Sequence, residues 1–329
     1  MEFHIVGGGS IGLLYAARLA LAGYPATVWT RTEEQAAELN GCGIRLEAGD
    51  AARQAAVRAA PLSEAAATGP DQCASRTVLL AVKQPQLTPE LLGLAGRLAQ
   101  PGAAVLCLQN GIGHLERIAA AMPDADVYAA VTTEGARKLA PAVVRHTGEG
   151  ELWFGPAARN ARPGGASGGA DGRHAQADGE NGRHSQNLLL FALKKAGIDA
   201  YLSNDIHNRI YAKLLLNAVI NPLTAIYGVR NGALPEDPAR LRLMLALHKE
   251  TEEVLRAAGM APSEDTWKRL LDVCASTSAN VSSMLADIRA GRRTEIDWIN
   301  GGVSALARKA GLPSPLNDAM VTLVKALEQ

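Results

Sequence analysis

Lys213, Asn217 and Asn221 fall at i, i+4 and i+8 in the otherwise apolar stretch Ala212-Lys213-Leu214-Leu215-Leu216-Asn217-Ala218-Val219-Ile220-Asn221-Pro222-Leu223-Thr224-Ala225. On a helix these three share one face, while the leucines and Ile220 cover the rest. Burying such groups without partners is costly, so the stripe reads as the wall of a ligand-facing cleft. The alternative is an amphipathic helix with a narrow solvated stripe. An ammonium on such a wall can stabilise negative charge growing on an oxygen and supply the proton that oxygen needs.

A second constellation lies at the N-terminus. Gly7-Gly8-Gly9-Ser10-Ile11-Gly12 follows an apolar run and fits GxGxxG, with Gly7, Gly9 and Gly12 in the three glycine places. The first glycine allows a tight turn, the second lets backbone approach a pyrophosphate, and the third lets helix and strand pack closely. Free helical N–H groups then face the phosphates. The second strand ends in Val28-Trp29-Thr30-Arg31, without the Asp or Glu that would bond a ribose 2′-hydroxyl. Arg31 suits a 2′-phosphate, which a guanidinium binds through charge-assisted hydrogen bonds, so NADPH is the expected cofactor. A solvated arginine beside Glu33 and Glu34 is the alternative. Lys83, in Val82-Lys83-Gln84, and Asn110, in Gln109-Asn110-Gly111, fall where ligands bind at the carboxyl ends of strands. Lys83 suits a phosphate and Asn110 the nicotinamide side or the substrate, but both also fit ordinary loop polarity.

The elements that must position these residues alternate strand-like and helical runs, as in βαβ units on a parallel sheet. Strands are expected to end near Val6, Thr30, Val82, Gln109 and Thr132, with a helix over Ser10 to Ala22. From Val143 to Pro156 the pieces read as hairpins or an edge extension of the sheet. Ala157 to Asn187 is low in complexity, repeating Gly-Arg-His-Ala-Gln at 172 as Gly-Arg-His-Ser-Gln at 182, and reads as a mobile insertion. Its His174 and His184 lack the carboxylate or cysteine company of a metal site, so no metal is expected. A helix over Asn187 to Ala196 and a strand over Ile198 to Ser203 complete the first domain, with a boundary near Asn204. Helical periods follow over Arg209 to Tyr227, Pro238 to Ala258, Ser263 to Ser276, Thr294 to Ala310 and Pro315 to Leu327. The fold class is therefore α/β, with an N-terminal Rossmann-type doubly wound sheet over 1–204 and a C-terminal all-α domain over 205–329.

Composition agrees with small-molecule work. In 329 residues, 33 basic side chains balance 33 acidic ones, which removes the general attraction to a phosphate backbone, so nucleic acid is not an expected partner. Cys42, Cys73, Cys107 and Cys274 form no CxxC pair, so free thiols are expected rather than a zinc site or disulfide framework. The N-terminus has no signal-peptide pattern and no stretch reads as apolar for long enough to span a bilayer, so a cytoplasmic protein, as monomer or homodimer, is expected.

Four motifs together resemble the ketopantoate reductase (2-dehydropantoate 2-reductase) family. They are Gly7 to Gly12 with Arg31, Gln109-Asn110-Gly111-Ile112-Gly113, Lys213 through Ala225, and Asn280 to Arg289 running on to Thr294-Glu295-Ile296-Asp297-Trp298-Ile299-Asn300-Gly301. The resemblance implies an oxidoreductase that reduces the 2-keto acid 2-dehydropantoate to (R)-pantoate with NADPH, a step toward pantothenate and coenzyme A. By that resemblance Lys213 matches the proton donor. Asn217, Asn221 and Ser283 match residues holding the substrate, with Asn231 and Asn280 in the same role. Lys83, Asn110, Ala136 and Glu295 match positions lining the cofactor or the cleft. A hydroxyl such as that of Ser283 is a fitting donor to the acid group of a 2-keto acid. Two other readings stay open. The 6-phosphogluconate and β-hydroxyacid dehydrogenase group also carries a helical lysine with asparagine four residues later, and a non-catalytic NADPH sensor would keep the fold alone. The Arg31 argument is checked by the ratio of catalytic efficiencies with NADPH and NADH: NADPH is expected to win, and a clear NADH preference removes the argument.

Overall fold

Phe3, Ile5 and Val6, all fully buried, lie in a short strand, β1 (Glu2–Val6), which pairs in parallel with β2 (Ala26–Thr30) on one side and with a later strand, β6 (Arg76–Leu80), on the other. The computed structural model describes residues 1–67, 76–157, 185–263 and 265–328. They divide into two compact units. Met1–Val82, Gln86–Gln109 and His114–Ile206 form the first, while Lys83–Pro85, Asn110–Gly113 and His207–Gln329 form the second. The expected single cut near Asn204 differs from this division in the two short loops.

The chain leaves β2 through α2 (Glu33–Cys42) into β3 (Ile44–Ala48), β4 (Ala51–Ala55) and β5 (Arg58–Pro61). After β6 come α3 (Pro89–Leu98), β7 (Ala104–Cys107), α4 (Leu115–Ala121) and β8 (Asp126–Thr132). A hairpin of β9 (Gly135–Ala140) and β10 (Val143–Gly148) precedes β11 (Glu151–Pro156), a helix over residues 185–195 (α5) and β12 (Asp199–Leu202). Eight strands make the main sheet in the order β12-β11-β8-β7-β6-β1-β2-β5, parallel from β8 to β5, with β11 antiparallel to β8. The strand order reverses direction at β1, and in such sheets ligands bind beyond the carboxyl end of that switch point. The remaining strands, β4-β3-β10-β9, form a second sheet.

The Rossmann-type architecture is as expected, but several details differ. Strands β6 and β7 stop two residues before Val82 and Gln109. The Gln109 amide instead donates to the carbonyls of Leu80 (2.9 Å) and Val82 (3.0 Å), taking over where the ladder ends. Of the Val143 to Pro156 region, β10 joins the small sheet and β11 extends the main one. Residues 185–187, assigned from sequence to the insertion, already belong to α5. The rest of that insertion from 158 on, with His174 and His184, lies outside the described residues, as does Cys73. Cys42 is exposed, and Cys107 and Cys274 are buried as free thiols.

Helix α1 (Ser10–Leu21) lays Leu13, Leu14, Tyr15, Ala16, Ala17 and Leu19 into a core that includes Phe3, Ile5, Val28 and Leu79. Its close approach depends on Gly12. A Cβ there would overlap the carbonyl oxygen of Gly7 and sit 3.2 Å from the Ala81 Cβ.

The second unit begins with α6 (Ile206–Tyr227), followed by α7 (Pro238–Ala257), α8 (Thr266–Ser276), α9 (Ser283–Arg289), α10 (Asn300–Ala310) and α11 (Pro315–Ala326). One flank of α6 packs Leu214, Leu215 and Ala218 with Val254, Leu255, Ile299 and Val303. The other packs Val219, Ile220 and Leu223 with Leu247, Leu270 and Met320. This corrects the membrane reading: α6, with 22 residues and mean hydropathy 1.2, is long and apolar enough by length and composition to cross a bilayer. Its apolar window is 61% buried inside the fold, the mark of a core helix. Helix α10 starts at Asn300 rather than Thr294: Gly301 and Gly302 stand in its first turn, and a turn over 296–299 precedes it. Helix α9 was not anticipated.

Gly12→Ala is expected to lower stability by about 1–3 kcal/mol, the cost of overpacking a tight contact, read from the urea midpoint. An unchanged midpoint would show that α1 and β1 are not held this closely.

Candidate active site

In the first unit the glycine turn is built as a cradle. Gly7 has φ +114°, a left-handed value suited to glycine, and its N–H donates to the Trp29 carbonyl at 2.9 Å, tying the turn to β2. Gly9 is the N-cap of α1, and no side chain caps the helix there; its first turn carries no acidic residue. A Cβ on Gly9 would meet no protein atom within 4 Å. The chain's own packing therefore makes no demand for glycine at position 9, whereas close approach of a phosphate would. Helix N–H groups without a side-chain cap are the donors such an anion needs. These residues fit the phosphates of a dinucleotide.

Arg31 is exposed at the end of β2, and among the described residues neither Glu33, Glu34 nor any other carboxylate forms an ion pair with it. Ile11 packs against the core, and the Ser10 hydroxyl accepts the main-chain N–H of Lys138 at 3.0 Å. Ala136 lies on β9 opposite His146.

In the second unit the polar stripe of α6 falls on neither core flank. Lys213 and Asn217 are half-buried and Asn221 is buried, and among the described residues the side-chain amides of Asn217 and Asn221 make no hydrogen bond. Burial pulls the Lys213 ammonium down to a pKa of about 8, with Glu295 pulling the other way. Such a lysine is still mostly protonated at neutral pH, yet gives up its proton far more readily than an ordinary one.

Glu295 is itself buried, and burial raises its pKa above the ordinary carboxylate range. One carboxylate oxygen accepts the main-chain N–H of Gln84 and the other the Asn110 amide, each at 3.2 Å. Lys83 pairs with Asp287, a buried carboxylate that Arg292 also grips with two bonds of 3.1 Å. The loops carrying Lys83 and Asn110 are thus fastened to one acidic pair. The approach of the Asn110 loop requires Gly111, at φ +79°, where a Cβ would overlap the Trp298 carbonyl, and Gly302, where a Cβ would come within 2.7 Å of Ile112.

Proline inside α6 has a specific consequence. Pro222 has no N–H, so the Ala218 carbonyl four residues earlier loses its helical donor. The Asn300 amide replaces it at 2.8 Å and also donates to Asn317 Oδ1 at 3.0 Å. Asn317 in turn donates to Glu250 (2.9 Å) and Thr251 (3.1 Å). On the other side of the proline, the Thr224 and Ser282 hydroxyls lie 2.6 Å apart, and Ser282 caps α9 by accepting the Leu285 N–H at 3.1 Å. This link fixes exposed Ser283, the first residue of α9, to the turn of α6 that follows Asn221. Asn231 and Asn280 are joined through backbone, the Asn231 N–H donating to the Asn280 carbonyl at 3.1 Å, while the Asn231 amide donates to Thr277 at 2.9 Å.

Two family models match this chain, described as ketopantoate reductase PanE/ApbA over residues 3–159 and ketopantoate reductase PanE/ApbA C terminal over residues 205–328. The chain belongs to the ketopantoate reductase family. Among its relatives, the 2-dehydropantoate 2-reductase of Bacillus subtilis is 31% identical, covering 100% of this chain and 98% of the relative. That of Archaeoglobus fulgidus is 30% identical, covering 98% and 97%. The crystal structure of the probable Bacillus subtilis enzyme aligns with TM-score 0.77 at 30% identity, covering 99% of this chain and 100% of that one. A D-mandelate dehydrogenase solved with NADH and anilino(oxo)acetate shares the fold, with TM-score 0.82 at 24% identity, covering 100% and 98%.

Within this ketopantoate reductase chain, the structure brings Lys213, Asn217 and Asn221 onto one stripe, and gathers Lys83, Asn110 and Glu295 around a second charged cluster. Asp287, Gln84, Asn300 and Pro222 were not given a role from sequence, although all four lie inside the quoted stretches. An acid in the apolar run Met284-Leu285-Ala286-Asp287-Ile288 and a proline four residues after Ala218 were the available signals.

Asn300→Ala is expected to cost about 1–3 kcal/mol by leaving the Ala218 carbonyl and Asn317 short of a donor. Adding Pro222→Ala should recover part of that loss, because alanine restores an N–H facing Ala218. Denaturation of the four proteins of this double-mutant cycle tests the link, and strictly additive effects would refute it.

Proposed function

We propose that this chain reduces 2-dehydropantoate to (R)-pantoate with NADPH, as a step toward pantothenate and coenzyme A. The observation that carries the reading is the α6 stripe, where an ammonium of lowered pKa stands in line with two carboxamides that have no hydrogen bond among the described residues. Side-chain amides without a protein partner keep donors and an acceptor for a polar substrate. The names of the relatives supply the substrate, and the motif-by-motif match of Lys213, Asn217, Asn221, Asn231, Asn280 and Ser283 supports the same reading.

The dinucleotide, when bound, supplies the hydride. As the ketone carbon is reduced, charge grows on its oxygen, where the Lys213 ammonium stabilises it and then delivers the proton. Asn217 and Asn221 orient the keto acid through carboxamide donors, and the Ser283 hydroxyl donates to its carboxylate, with Asn280 and Asn231 supporting that end. Gly7, Gly8, Gly9, Ser10, Ile11 and Gly12 hold the pyrophosphate, Arg31 takes the 2′-phosphate, and Ala136 lines the same nucleotide. Glu295, Asn110 and Lys83 would line the cofactor or the cleft, and Glu295 supports the protonated state of Lys213 by its charge.

Two measurements test the chemistry. Because protonated Lys213 is the reactive form for reduction, kcat/KM should fall as pH rises through about 8. Lys213→Arg keeps the charge but holds its proton too tightly, so turnover should drop by roughly 10²–10⁴-fold while NADPH affinity changes little. Near-normal turnover in that variant would remove Lys213 from the role. A panel of 2-keto acids at fixed NADPH checks the substrate, with 2-dehydropantoate expected to give the highest kcat/KM and another acid in first place overturning the assignment.

A further inference from the structure

The Gly8 carbonyl is a meeting point of three elements. It accepts the Gln35 amide from α2 at 2.9 Å and the Lys138 ammonium from β9 at 3.0 Å. Gln35 also donates to the Pro141 carbonyl at 2.8 Å, so α2 and the β9–β10 turn are fastened together beside the glycine turn. The Lys138 main chain is tied in as well, through its N–H to the Ser10 hydroxyl. A Cβ on Gly8 would come within 2.7 Å of the Gln35 carboxamide, which would have to shift from its present position.

We propose that Lys138 is a second cation for the 2′-phosphate of the dinucleotide and acts with Arg31 to select the phosphorylated cofactor. The proposal rests on the NADPH reading given above and adds a residue that the βαβ pattern does not contain, because Lys138 comes from the separate β4-β3-β10-β9 sheet. Lys138 is half-buried, and burial followed by the positive charge of Arg31 lowers its pKa, with Glu38 opposing. Among the described residues no carboxylate forms an ion pair with either cation. Two like charges near one another, one of them half-buried, repel in the free protein, and a dianion relieves that repulsion while gaining a charge-assisted hydrogen bond from each. A ribose 2′-hydroxyl gains no such advantage. The lysine therefore discriminates between phosphorylated and unphosphorylated nucleotides rather than strengthening both.

Calorimetric titration with 2′,5′-ADP and 5′-AMP, adenosine fragments with and without the phosphate in question, reads this without turnover. Lys138→Gln keeps a donor for the Gly8 carbonyl and removes the charge, and Lys138→Arg restores the charge. The expected result for Lys138→Gln is at least tenfold weaker binding of 2′,5′-ADP, about 1.4 kcal/mol, with 5′-AMP changed less than twofold and Lys138→Arg close to the parent. Equal losses for both nucleotides would assign Lys138 to holding the turn, and no loss for either would leave it without a role in binding; each result overturns the proposal. A chain in which Arg31→Ala abolishes the preference while Lys138→Gln preserves it would retain the NADPH reading and reject the second cation. A parent protein that binds 2′,5′-ADP no better than 5′-AMP would sink the NADPH reading, and the proposal with it.

Discussion

The carbonyl of Ala218 is the constraint around which the second unit is organised. A proline in a helix interior costs about 3 kcal/mol, in part because it strands the acceptor four residues behind it. Here the stranded acceptor lies between Asn217 and Asn221, on a helix with apolar residues packed along both flanks. Water cannot easily serve a group in that position, so another helix must. Asn300 does so, and the donor's own orientation is held by Asn317, Glu250 and Thr251 from α11 and α7. The stripe that carries Lys213 is consequently braced from behind by hydrogen bonds as well as by hydrophobic contact.

Backbone carbonyls set the terms in the first unit too. The Gly7 oxygen leaves no room for a side chain at position 12, and the Gly8 oxygen collects donors from α2 and β9. In both units the local arrangement follows from a main-chain atom that has to be satisfied or approached closely. The charged groups come second. Asn110 reaches its position because Gly111 and Gly302 let its loop lie against Trp298 and α10, after which Glu295 holds it, while Asp287 holds Lys83.

Much of this was legible in the residues. The glycine turn announces itself through spacing, and the Lys213 stripe through its period of four against leucines, because both are local patterns within a single element. The small sheet was hidden. Its β4 reads Ala-Ala-Arg-Gln-Ala, with neither the branched residues nor the alternation that mark a strand, and its burial comes only at Ala55. Strands β6 and β7 end at Leu80 and Cys107, two residues short of Val82 and Gln109, because a side-chain amide, invisible to periodicity, takes over the hydrogen bonding there. The roles of Asp287 and Asn300 depend on partners about 200 and 80 residues away in sequence, a separation that no local pattern reports. Lys138 belongs to the same class, since its meaning comes from which sheet β9 joins.

The two loops that join the second unit have a bearing on modular engineering. The helical part of this protein is not a contiguous stretch of its gene: Gln84 and Asn110, which supply the donors for Glu295, are encoded within the nucleotide-binding half. A segment excised at residue 207 would leave a buried carboxylate with both of these partners removed. Any chimaera that exchanges the helical unit between relatives must therefore transplant three pieces of chain, and recombination at a single crossover would pair a glutamate from one parent with loops from another.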